Sequence, residues 1–162
     1  MKTIYVLCLS IILGVASLNA DVEVVFENPS GFRDIDYGYH GNRQGQKIYL
    51  PEIERYILKE GKRYLLDGQS LRMTITDIDL AGEFEGWHPP PWDDVRILKG
   101  IYPPRISFSF ELVAEEGTII KSGEERLSDL NFEFRIRTNH TDDLYYDKAM
   151  IRDWLKDLNR ED

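Results

Sequence analysis

The chain has 162 residues, of which 29 are acidic and 20 basic, giving a formal net charge of −9. Such a surface repels phosphate backbones and anionic lipid headgroups, so nucleic acid is excluded as the expected partner. Aromatic residues make up 12%, with three tryptophans and nine tyrosines, which separates the chain from acidic disordered tails and suits one domain with a core of its own.

The first twenty residues, MKTIYVLCLSIILGVASLNA, have the three-part layout of a secretory signal peptide. Lys2 supplies the positive region, an apolar stretch runs from Ile4 to about Val15, and Ala16, Ser17 and Ala20 offer small residues for cleavage. The expectation is therefore a signal peptide over 1–20 and a single exported domain over 21–162. The apolar stretch is shorter than the roughly 20 residues of a spanning helix, so no membrane span is expected after cleavage. Cys8 is the only cysteine and leaves with the signal. The mature chain then has no disulfide, thiol nucleophile or thiolate metal site.

Val22, Val24 and Phe26 alternate with Glu23 and Val25 and predict a strand ended by Asn28-Pro29. Ser30 to Gly45 reads as a loop carrying Asp34 and Asp36. From about Gln46 to about Leu65 the period becomes helical, with Leu50, Ile53, Ile57, Gly61 and Tyr64 or Leu65 on one stripe. Pro51 either opens this helix or kinks it. Gly61 lies on the apolar stripe, where the missing side chain permits close packing. Leu71, Met73 and Ile75 predict a second strand whose phase slips immediately. Without a bulge near Thr76 or Asp77, Asp77 and Asp79 would point at the core.

Ala81 to Pro104 is a long loop whose prolines argue against regular structure. Ile106, Phe108, Phe110 and Leu112 then alternate clearly. A turn at Glu116-Gly117 returns the chain from Thr118 to about Arg126 as a hairpin partner. Leu130, Phe132, Phe134 and Ile136 alternate again, as a further strand or a packed extension. Thr141 or Asp142 caps a last helix with Leu144, Met150 or Ile151, Trp154, Leu155 and Leu158 on its apolar stripe. The predicted class is α+β: one mainly antiparallel sheet of about four strands with two principal helices, in the order β-α-β-β-β-α.

Chemistry concentrates between Asp77 and Arg96. This stretch holds Asp77, Asp79, Glu83, Glu85, His88, Asp93, Asp94 and Arg96, with Trp87 and Trp92 among them. Such carboxylates could hold a hard cation, but the spacing is not that of a calcium hand. One histidine here makes a thin zinc set, and His40 and His140 lie far off in sequence. The same acids could supply a glycosidase pair, with the tryptophans stacking on sugars. Against this stands a structural role, in which Asp77 and Asp79 accept backbone bonds at a bulge or pair with Arg96 or Arg105. No nucleophile elbow, phosphate loop or dinucleotide motif occurs, and no cofactor or metal is expected.

The segments TDIDLAGEFEGW, DVRILKGIYPPRISFSFELV, SGEERLSDLNF and YYDKAMIRDWL resemble, in that order, the bacterial secreted family called domain of unknown function 3016. The resemblance runs over roughly Val22 to Leu158. It implies a signal peptide and one domain, and it brings no catalytic or ligand-binding residue with it. The element order is also similar in layout to small envelope accessory domains. The expected function is a non-enzymatic binding or accessory module, periplasmic or secreted, recognising an envelope protein or a cell-wall component. The alternative is a small hydrolase or metal-dependent enzyme using the Asp77–Asp94 loop. The sequence leaves the oligomeric state open.

Overall fold

The computed structural model describes residues 21–35, 44–87, 95–139 and 141–160. The signal-peptide reading of 1–20 lies outside them. Strand β1 (Asp21–Phe26) leads to a 3-10 turn at Pro29–Gly31 and then to helix α1 (Gln44–Tyr64). Strand β2 (Ser70–Asp79) follows, then two short strands, β3 (Glu83–Phe84) and β4 (Arg96–Ile97). The hairpin of β5 (Arg105–Val113) and β6 (Ile119–Ser128) precedes a 3-10 turn at Phe132–Phe134 and helix α2 (Tyr145–Asp157).

The main sheet has the order β1-β2-β5-β6. β1 and β2 run parallel, because the chain between them crosses over through α1; the other two pairings are antiparallel. The register puts like with like. Val22 lies opposite Leu71, and Val24 opposite Met73. Across the next pairing Met73 faces Phe110 and Ile75 faces Phe108. These apolar rows form the face on which both helices pack. The core there combines Ile53 and Ile57 of α1 with Leu144, Ile151 and Leu155 of the α2 region. Trp154 closes it, standing edge-on to Phe108 and Phe110 at 4.7 and 5.1 Å.

A bulge resolves the phase slip in β2. Its pairing with β5 shifts between Ile75 and Asp77, so Ile75 and Ile78 are both buried although three positions apart. Asp77 and Asp79 are thereby turned off the core. Gly61 also behaves as its place on the stripe requires. A Cβ there would stand 2.9 Å from Val22 Cγ2, so α1 rests directly on β1. Pro51 does not open α1, which starts at Gln44; it sits on an exposed position inside the helix.

Three expectations are corrected. The Ala81–Pro104 loop contains a two-stranded antiparallel ribbon, Glu83–Phe84 with Arg96–Ile97, formed from residues free of proline. Leu130–Ile136 is not a strand, and of its alternating apolar residues only Phe132 packs inward. Phe132 is fully buried at its 3-10 turn, while Leu130, Phe134 and Ile136 face outward. Alternation produces a strand only where a neighbour offers a ladder; here Asp129 accepts the Asn131 N–H instead and turns the chain. Finally, Asp142 acts just upstream of the first turn of α2, and Leu144 is the N-cap residue. The Asp142 side chain accepts from the Leu144 N–H at 3.0 Å and its carbonyl from the Tyr145 N–H at 3.2 Å.

Candidate functional site

The described part of the acidic stretch is spread over three separate local sets, while His88, Trp92, Asp93 and Asp94 lie outside the described residues. Asp77 and Asp79 form the first set. Asp77 accepts the Arg33 N–H at 2.9 Å, and Asp79 holds Arg105 at 2.8 Å, with the Arg33 guanidinium 3.5 Å away. Asp77, Arg33 and Arg105 border an open cleft of about 700 Å³ on the sheet face away from the helices, walled by Thr76, Ser107 and Glu124.

The second set centres on Arg96. The β3–β4 ribbon sets it opposite Phe84, and its guanidinium lies 4.5 Å from that ring. It grips Asp34 through two bonds of 2.6 and 3.1 Å and donates to the Gly82 carbonyl at 2.8 Å. Burial lowers the pKa of Arg96, but its bonds to Asp34 outweigh this and raise it above the ordinary value. Glu83 at the start of the ribbon accepts the Phe84 N–H at 2.9 Å.

Glu85 makes the third set. It is buried, with Lys99 at 2.5 Å and the Tyr102 hydroxyl donating at 3.0 Å. That bond to Glu85 raises the Tyr102 pKa. Trp87 is exposed nearby, its ring 6.0 Å from the Lys99 ammonium. Every described carboxylate of the stretch is thus engaged in a structural bond. Among the described residues no group of three or more His, Cys, Asp or Glu could hold a metal ion.

Arg33 and Asp34 join the first two sets, and sequence reasoning missed them. The backbone at Asp34 bridges to Asp79, continuing the line of β1 beside β2, with Asp34 N–H to Ile78 O and Leu80 N–H to Asp34 O both 3.1 Å. Adjacent side chains on an extended segment point opposite ways. Arg33 therefore reaches Asp77 and Asp79 while Asp34 reaches Arg96. A second omission is Asp147, which lies three residues after Leu144 on the apolar stripe of α2. It is fully buried; its Oδ1 accepts the Ala81 N–H at 3.1 Å, and Oδ2 has no hydrogen-bond partner among the described residues. Burial pushes its pKa up to about 7 against the opposing pull of the Ala81 bond and Arg96. An acid at a core position of a helix was the available signal.

The other unforeseen feature is apolar. Leu130, Ile101, Phe134 and Ile136 are exposed by 67, 72, 79 and 84%. They spring from two adjoining segments. The Asp129 N–H donates to Pro104 O, and a Cβ on Gly100 would stand 2.8 Å from the Glu133 carboxylate. The patch is firmly mounted. Phe132 packs edge-on against Tyr146 at 5.0 Å, Arg135 bridges Asp129 and Asp153, and the Tyr145 hydroxyl donates to Ile136 O at 2.6 Å. Large apolar side chains exposed on adjoining, anchored segments are candidates for an interaction surface.

The fold and these sites define an α+β domain in which the described acids of the Asp77–Arg96 stretch are committed to ion pairs and hydrogen bonds and in which four exposed apolar side chains lie on two adjoining segments. The chain belongs to the family described as "Protein of unknown function (DUF3016)", whose model matches residues 20–157. No curated protein and no solved structure matches it.

Proposed function

We propose that this protein is an exported accessory module, periplasmic or secreted, that binds an envelope protein through Ile101, Leu130, Phe134 and Ile136. The observation that carries this reading is the exposure of four large apolar side chains on two segments pinned to β5, α2 and each other. An anchored backbone loses little freedom on docking, so less of the energy of burying these side chains is spent on ordering the segments. The net charge of −9 opposes anionic lipid. A cell-wall sugar calls for flat aromatic platforms and convergent hydrogen-bonding groups, whereas three of these four side chains are aliphatic. A protein with a complementary apolar surface is the occupant this chemistry favours.

The test is a photo-crosslinking amino acid placed at Phe134 in living cells, with Leu66 as control, since Leu66 is also well exposed but outside the patch. One dominant envelope protein crosslinked from position 134, absent from position 66 and lost when Ile136→Asp is added, supports the reading. Lipid adducts alone, or the same adducts from both positions, overturn it.

A further inference from the structure

We propose that β6 pairs antiparallel with β6 of a second copy of this chain, about a twofold axis at Gly123, to form one continuous eight-stranded sheet. β6 is the outer strand of the main sheet and is exposed along almost its whole length. An edge of this length offers unpaired N–H and C=O groups to another strand.

Its register with β5 fixes which side chains share the helix-bearing face. Lys121, Gly123, Glu125 and Leu127 lie opposite Leu112, Phe110, Phe108 and Ile106. Two charges on the inward side of an edge strand repel any apolar strand that approaches it. Only a strand with opposite charges at the matching positions answers them, and β6 itself is such a strand. With the axis at Gly123, Lys121 of each copy stands opposite Glu125 of the other, and Gly123 opposite Gly123. On the other face Ser122 meets Glu124. A bulge at the start of β6, where its pairing with β5 shifts between Leu112 and Val113, leaves Lys121 to Leu127 as the regular stretch for this pairing. Moving the axis to Glu124 or Glu125 sets two glutamates face to face. Moving it to Ser122 leaves Lys121 opposite glycine. Of these registers, each of which keeps both helix layers on one side, the one at Gly123 alone pairs every inward charge with its opposite.

The experiment is sedimentation of the purified protein and of Lys121→Glu, Glu125→Lys and the double swap, with circular dichroism confirming that each is folded. The expected result is a wild-type dimer, weakened at least about tenfold by either single change, because each turns two attractive cross-strand pairs repulsive. The double swap restores the dimer, and an equimolar mixture of the two single variants forms heterodimers. In a Cys8→Ser background, Gly123→Cys should also oxidise to a covalent dimer, since opposed residues of an antiparallel pair lie about 5 Å apart at Cα. A wild-type monomer at every concentration overturns the proposal, as does a dimer indifferent to these charges.

Discussion

Gly61 and Asp147 show how single positions set the terms of packing. At Gly61, alanine would gain roughly 1 kcal/mol of helix propensity. It would also drive a methyl into Val22, an overpacking that costs about 1–3 kcal/mol. Gly61→Ala should therefore lower the melting temperature, and Val22→Ala in the same chain should remove much of the clash, so that the two changes are not additive. Asp147 couples folding to pH. Its pKa is raised from 3.8 to about 7, first by burial. Between those values the folded protein holds a proton that the unfolded chain has released. Stability must then fall as pH rises through this window and level off above it. Asp147→Asn keeps an acceptor for the Ala81 N–H and has no proton to lose. Chemical denaturation from pH 4 to 8 should show this contribution in the wild type and not in the variant. Asp79→Asn tests the structural role of the acidic stretch. Losing the charge in its bond to Arg105 should cost about 1 kcal/mol, the modest figure reflecting Arg105's exposure.

At the scale of elements, the segment from Asp129 to Arg137 divides into an anchor and a display. Phe132 is the anchor. Phe132→Ala should destabilise the protein by about 3–5 kcal/mol and speed amide exchange throughout the segment. Phe134→Ala, two residues on, should change stability by less than about 0.5 kcal/mol, because its ring is already in water. The same segment shows where sequence reading reaches its limit. The alternation of Leu130, Phe132, Phe134 and Ile136 matches that of β5, yet only β5 has strands on both sides to accept its ladder. Period reports which residues could share a face, and the neighbour decides whether that face is buried. Where a neighbour is implied by the pattern itself, the reading held. The phase slip at Thr76 and Asp77 foretold the bulge, and the 3.6-residue stripe through Gly61 foretold the contact of α1.

For the whole molecule, nearness in sequence is not the same as nearness in space. The described acids between Asp77 and Arg96 lie on β2, on β3 and just after β3, and each set meets its own partners. Those partners include Arg33 and Asp34, which no local pattern connects to Arg96. The net result is a helix layer covering one sheet face, an open polar face opposite, and an apolar patch beside the start of α2. Arg72 illustrates the polar face, lying 3.7 Å from both Glu23 and Glu111 at solvent-exposed positions. Ion pairs of this kind stabilise by at most about 1 kcal/mol, so substitutions on the polar face should change stability little.

The measurement that bears most directly on the account is the affinity of the crosslinked envelope protein, once purified, for the wild type and for Phe134→Ala with Ile136→Ala. If the patch is the docking surface, the double variant should melt as the wild type does and bind at least about thirtyfold more weakly, the loss expected for removing central apolar contacts worth about 2 kcal/mol. An unchanged affinity in a normally folded variant would contradict it.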